Sequence, residues 1–210
     1  MVKNPLIRKM PKMTGNTTGG HSAGIVNSTP TNDTDLVNKA YVDNIPLNVA
    51  VDLFSYNEAS DIATYLTMKA EPSSNAEETV SDTVVKNTND SLIGSFATEL
   101  SYDAQAKINT LTEGVYNMHA HLYAGRNNRL KFYVNVYFRD VGGTETLIGT
   151  TDTTAYLTTV SSKYNFHFIL TQDYPLTAGD RIVVKAYANN MSSVDTICYI
   201  QMEGTTATSG

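Results

Sequence analysis

A chain of 210 residues has room for one domain of about 150–200 residues plus an arm, and enough length to bury a core. Only 17% of residues are charged, Trp is absent, and Tyr, Thr, Ser and Asn are abundant, a mix that suits strands with polar outer faces and excludes a helical bundle. The net charge of −6 gives no reason to expect nucleic acid, the lone Cys198 excludes an intrachain disulfide, and no run nears the roughly 18 apolar residues of a membrane span.

Residues 1–32 do not read as a folded domain. Lys3, Arg8, Lys9 and Lys12 are basic, and the first acidic residue is Asp33. Pro5, Pro11, Gly15, Gly19 and Gly20 interrupt any periodicity. Such an arm is either a loose tail or a docking segment that orders on an acidic or grooved partner. Met1 precedes no apolar secretory core, so a soluble product made in a cytoplasm is expected.

Residues 33–46 read as a short helix. Asn32 or Asp33 can cap it, and Asp33 and Asp35 complement its dipole. Leu36, Val37, Ala40 and Tyr41 share one side at helical spacing. A helix this short is marginal alone, so that side needs either the following domain or copies of itself.

From 47 to 205 the chain reads as strands, with 206–210 a small polar tail. The runs are 49–56, 62–69, 79–85, 92–100, 114–124, 130–140, 147–150, 154–160, 163–171, 181–188 and 196–203. Gly, Asn and Asp mark turns at 141–143 and 188–190. Many short strands at this spacing predict an antiparallel jelly-roll sandwich, an all-β head preceded by an extended arm and one short helix.

The cleanest alternation is in 111–140. Tyr116, Met118, Ala120, Leu122 and Ala124 share one face, with Asn117, His119, His121 and Tyr123 on the other. Leu130, Phe132, Val134, Val136 and Phe138 alternate with Lys131, Tyr133, Asn135, Tyr137 and Arg139. With the polar turn Gly125–Arg129 between them, the two runs read as a hairpin. Tyr187 and Tyr199 repeat the pattern of a tyrosine opposite an apolar face. Outward tyrosines make an apolar patch that soluble monomers avoid, and tyrosine suits interfaces. The expectation is therefore that Tyr133, Tyr137, Tyr187 and Tyr199, with His119 and His121 nearby, line a subunit contact. Ordinary β-propensity is the alternative source of these tyrosines.

There is no P-loop, GxGxxG, HExxH or GxSxG in its required context, and no cofactor is implied. No carboxylate pair stands out as a glycosidase dyad, although distant loops can assemble one. His119 and His121 have workable metal-ligand spacing, with His167 on a run that could neighbour them. Polar-face residues, exposed or at a subunit interface, are the plainer reading, and no metal is expected.

Two stretches resemble known families. Residues 24–43, GIVNSTPTNDTDLVNKAYVD, resemble the segment of bacteriophage tail-fibre and head-fibre proteins that links a virion-attached part to a distal part. The matching residues are Ile25, Asn27, Pro30, Thr31, Asp35, Val37, Asn38, Lys39, Tyr41, Val42 and Asp43. That segment is trimeric in the family, so the resemblance implies a homotrimer. The second likeness covers Glu113 to Leu122 and Tyr174 to Val184. It is similar to two signatures of complement-type and tumour-necrosis-factor-like jelly-roll heads: a Gly before an aromatic strand, and a Gly-Asp turn opening a core strand. Gly179-Asp180 would turn the chain so that Ile182, Val184 and Ala186 enter the core. Those heads are typically trimers. No cysteine pattern, calcium loop or collagen stalk accompanies them here.

Together these imply a structural fibre or spike protein of a virion. Its arm would contact other capsid or tail proteins, and its head would bind a host-surface glycan or protein or simply decorate the particle. The rivals are a short glycan-cleaving fibre tip and a non-viral trimeric binding head.

Overall fold

The computed structural model describes residues 52–99 and 110–203 and contains twelve strands there. The chain divides into two units, Met1–Ile45 and Pro46–Gly210, and all described residues lie in the second. The expected arm, neck helix and polar tail lie outside the described residues.

The larger sheet has six strands in the order β1 (Phe54–Ala59), β2 (Leu66–Lys69), β4 (Thr88–Thr98), β11 (Arg181–Asn190), β7 (Leu130–Arg139) and β8 (Glu145–Thr150). The smaller has four, in the order β3 (Glu78–Val84), β12 (Thr196–Met202), β6 (Gly114–Ala124) and β9 (Ser162–Leu170). β5 (Thr110–Leu111) and β10 (Tyr174–Pro175) pair as a two-stranded ribbon. β3 pairs with β12, β4 with β11, β6 with β9 and β7 with β8, all antiparallel. That nested pairing is one long hairpin rolled into two sheets, the jelly roll. Only the added edge departs from it, because β2 runs parallel to β4.

The core lies where the two inner faces meet. Leu122, Leu130, Phe132, Val84 and Met202 are fully buried, and Phe132 meets Phe166 of the opposite sheet with ring centroids 5.7 Å apart. Close approach of the sheets needs a missing side chain at Gly149, where a Cβ would run into the Phe168 ring. Gly179 (φ +97°) turns the chain as its position predicted. Asp180 closes that turn by accepting from Thr177 N at 2.8 Å and Val141 N at 3.0 Å, and Ile182, Val184 and Ala186 enter the core.

Three expectations are corrected. The 111–140 hairpin does not form: β6 and β7 have the predicted inward faces but belong to different sheets. Gly125 N donates to Ile197 O of β12 at 2.8 Å and Asn128 N to Leu157 O at 3.0 Å, so the polar turn arches from one sheet to the other. Two strands with one apolar face each satisfy it equally by pairing or by facing one another across a core. The run 154–160 is not a strand. It follows β7, but the β7 amides of Phe132 and Val134 donate to the hydroxyls of Thr154 and Thr151, both at 2.9 Å, in place of main-chain carbonyls. The supposed turn at 188–190 is part of β11, whose last residue, Asn190, is fully buried. The ribbon strands β5 and β10 were not anticipated, being two residues each.

Candidate functional site

The alternation that builds the core also decides what the two outer faces carry. On the six-stranded sheet, Lys185 and Tyr187 of β11 and Tyr133, Asn135 and Tyr137 of β7 point outward. The turn between β1 and β2 straps this face. Asp61 Oδ2 meets Arg181 Nη2 at 2.9 Å, and Tyr65 OH donates to Glu145 Oε1. Val183, between Arg181 and Lys185 on β11, is outward yet fully buried, as is its cross-strand partner Ala97. Arg181 is 4% exposed, donates also to the carbonyls of Gly179 and Asp180, and keeps a buried Nε without a partner.

The charges on this face close on each other. Glu145 accepts from Lys185 Nζ at 2.6 Å and from Arg139 Nη1 at 3.1 Å. Burial pushes the Glu145 carboxyl up, but hydrogen bonds from Lys185, Tyr65 and Arg139 outweigh it and hold it below its ordinary value. Burial likewise disfavours charged Lys185, and its bonds to Glu145 and Tyr65 overcome that and raise it. Lys185 lies over the Tyr137 ring at 4.9 Å. Tyr133 stacks on Tyr187 at 5.3 Å and donates to Asp90 Oδ1 at 2.7 Å. Burial, with the bond to Tyr137, pushes Tyr187 up to about 12.

The outer face of the four-stranded sheet is different. β6 presents Val115, Asn117, His119, His121 and Tyr123. β9 presents Lys163, Asn165, His167 and Ile169. β12 adds Ile197, Tyr199 and Gln201, with Thr83, Ser81 and Thr79 of β3 opposite them. Among these outward residues Lys163 is the one fixed charge. Tyr123 and Tyr199 stack in parallel at 4.3 Å. Val115 and Ile169 are cross-strand partners, 64% and 61% exposed. The rim carries Glu77, which accepts from Gln201 at 2.8 Å, and Asp152, 3.1 Å from His167 Nε2. Burial, then His119 and Lys163, lowers the His121 pKa.

The predicted contact residues are therefore not one surface. Tyr133, Tyr137 and Tyr187 stand on one sheet, while Tyr199, His119 and His121 stand on the other. The structure brings together the residues within each set and separates the sets by the thickness of the core. Lys3, Arg8, Lys9, Lys12, Pro30, Asp35, Leu36, Val37, Asn38, Lys39, Ala40, Tyr41, Val42 and Asp43 lie outside the described residues. Among the described residues no group of three or more His, Cys, Asp or Glu side chains is placed to hold a metal ion. Likewise, no described helix is long and apolar enough to cross a membrane.

Sequence reasoning missed the Tyr65–Glu145–Lys185 network, whose members come from three separate elements. It also missed a cleft of about 480 Å³ beside β1 and β2. Tyr56, Met68 and Lys69 line it with Glu58 and Glu99, and both carboxylates lean on Lys69, at 2.6 and 3.7 Å. Glu203 nearby, 3% exposed, accepts from Asn57 N at 2.8 Å and Ser73 Oγ at 3.0 Å. Cys198 is fully buried, as its apolar run implied, and burial pushes its thiol up to about 12.

Neither the family models nor the curated proteins match this sequence. Among solved structures the chain is similar to an aminopeptidase from a marine sediment Thaumarchaeota archaeon, with 9% identity and a TM-score of 0.53 over 76% of this chain and 35% of that one. It is also similar to an α-amino acid ester hydrolase, with 11% identity and a TM-score of 0.49 over 76% and 35%. A third is Eiger TNF from S. frugiperda, with 8% identity and a TM-score of 0.24 over 60% and 92%. The chain thus spans about a third of the length of the two hydrolytic enzymes. At such identity the first likeness concerns the fold alone, and the other two, with lower scores, carry no argument.

Proposed function

We propose that the chain is a structural fibre or spike protein of a virion, a homotrimer that acts by attachment and not by catalysis. In this reading residues 1–32 dock on capsid or tail proteins, residues 33–46 form the neck, and the jelly roll projects for host-surface attachment or particle decoration. The observation that carries it is the order of parts: the fibre-like linker motif at 24–43 ends immediately before the unit that begins at Pro46. The basic arm, free of acidic residues before Asp33, has the composition of a segment that orders on a partner. Lys185 pairs with Glu145 on the six-stranded face and Lys69 with Glu58 in the cleft, which suits a scaffold more than a reacting centre. No cofactor is called for.

Two measurements test the reading. Light scattering at micromolar concentration is expected to give three times the chain mass of 22.9 kDa, and a monomer would sink the trimer. Deletion of residues 1–32 is expected to leave a folded trimeric head that no longer joins particles. Normal incorporation of the truncated protein would place attachment elsewhere.

A further inference from the structure

The strand order sends four connections to one end of the head: the turn from β3 to β4, the arch from β6 to β7, the segment from β8 to β9 and the turn from β11 to β12. Hydrogen bonds knit them together. Asn87 N donates to Ser192 O at 3.1 Å, Gly125 N to Ile197 O at 2.8 Å and Asn128 N to Leu157 O at 3.0 Å. Thr159 N donates to Asn127 Oδ1 at 2.7 Å. The described chain begins and ends at the opposite end, where Phe54 pairs with Lys69 at the end of β2 and Met202 with Glu78 at the start of β3. Charge separates the knitted end from the rest of the head. Elsewhere Lys69, Arg139, Arg181 and Lys185 each pair with a carboxylate. Here Lys86, Arg126, Arg129 and Lys131 are in no ion pair among the described residues. The carboxylates of the same connections are engaged otherwise. Asp195 Oδ1 accepts from Lys86 N at 2.9 Å, Asp90 Oδ1 accepts from Tyr133 OH at 2.7 Å, and Asp152 Oδ2 lies 3.1 Å from His167 Nε2.

We infer that this end of the head binds an anionic glycan, with Arg126 and Arg129 taking its carboxylate or phosphate groups. The inference rests on the attachment reading above and names the surface and the ligand class. Charge is the first argument. On a chain of net charge −6, cations without carboxylate partners are gathered at one end, so an anion is drawn to that end and repelled by the rest. Donor geometry is the second. A guanidinium presents a planar fork that matches carboxylate and phosphate, and both arginines are exposed. Rigidity is the third. The bonds from Gly125 and Asn128 and to Asn127 hold the loop on both sides of Arg126, and Asn128 sits at φ +56°, so binding has little backbone left to order. The setting is the fourth. Thr153, Thr158, Thr159, Ser193 and Asn89 are exposed on these connections, and hydroxyls and amides suit sugar hydroxyls. A protein partner is the lesser fit. The exposed aliphatic groups Val85, Val160 and Met191 come singly from three connections, and single exposed apolar groups are ordinary on a soluble surface.

The test uses the full chain over immobilised polygalacturonate, phosphomannan, neutral dextran and polyglutamate, read by surface plasmon resonance. Arg126→Gln and Arg129→Gln are combined in one variant. Thr171→Glu with Gln172→Glu, exposed residues at the opposite end, changes the net charge equally and is the control. Melting checks that each variant folds, and light scattering gives the mass of each sample. The wild type is expected to bind one or both anionic glycans in a salt-sensitive manner and to leave dextran alone. Polygalacturonate against phosphomannan tells a carboxylate ligand from a phosphate one. The arginine variant should bind roughly tenfold or more weakly, and the control as the wild type does. An arginine variant that binds as well as the wild type overturns the assignment of this end. Equal loss in the control would reduce the effect to net charge and overturn it too. Binding to polyglutamate in preference to both anionic glycans would assign the end to an acidic polypeptide instead. If the wild type is trimeric and binds neither anionic glycan, this inference falls while the fibre reading stands. A monomer that binds them through the two arginines would leave the site standing and remove the trimer.

Discussion

Asn190 ends β11 with no exposed surface, and its side chain is fully used. Its Nδ2 donates to Val84 O and Val194 O, each at 2.9 Å. Its Oδ1 accepts from Ser192 N at 3.0 Å and Ser192 Oγ at 2.7 Å. One amide thus fixes the 190–194 turn and ties it to the end of β3. Replacing Asn190 with Ala leaves carbonyls and an amide without partners where water has little access, and opens a small void. Only the bond to Val84 O is fully buried; about 1 kcal/mol for it, plus about 1–3 kcal/mol for leaving that carbonyl orphaned, puts the loss at about 2–4 kcal/mol. For a domain of this size that is a fall in melting temperature of roughly 5–15 °C. Asn190→Asp should cost at least as much, since a carboxylate would confront two carbonyls. Urea unfolding at fixed protein concentration reads the effect as a shift of midpoint at unchanged slope. A loss below about 1 kcal/mol for Asn190→Ala would show that water serves these groups, and the accounting by orphaned partners would be wrong.

Other substitutions probe other parts. Gly149→Ala should destabilise by about 1–3 kcal/mol, because its methyl group meets the Phe168 ring; unchanged stability would mean the sheets lie farther apart. Glu145 has a depressed folded pKa, so its contribution to stability is present above its ordinary value of 4.5 and is lost as pH falls through the lower folded value. Glu145→Gln should flatten the stability–pH curve over that acid range, and an unaltered curve would show that another carboxylate sets it. Cys198 should react with a thiol reagent only as fast as the protein unfolds, and rapid labelling of the native protein would contradict its burial.

What was legible in the sequence is what a residue's neighbours in the chain decide. The inward faces of β6 and β7, the Gly179-Asp180 turn and the buried Cys198 all follow from local pattern. A period of two, however, tells a strand which face is buried and not which strand lies beside it. The expected hairpin therefore became an arch between sheets, and the outward tyrosines divided into two groups. The threonine hydroxyls along β7 substitute for a ladder that composition alone implies. Asp61 with Arg181, 120 positions apart, and Asn57 with Glu203, 146 apart, meet only through the completed roll.

The nested order of pairing also carries a consequence for how the protein is made. β7 and β8 are separated by five residues and can join as soon as both exist, but β3 waits for β12 more than a hundred residues later. β12 lies between β3 and β6, so until it emerges both of those strands have an open edge on that side. Long-range closure of this kind is slow, and an open edge is a template for the wrong neighbour. A ribosome adding roughly 5–20 residues per second would leave those edges open for several seconds on every nascent head. Where copies are made side by side, that interval is when one chain's β12 could enter its neighbour's gap. Yield should therefore fall with synthesis rate and temperature more steeply than the stability of the finished head would suggest.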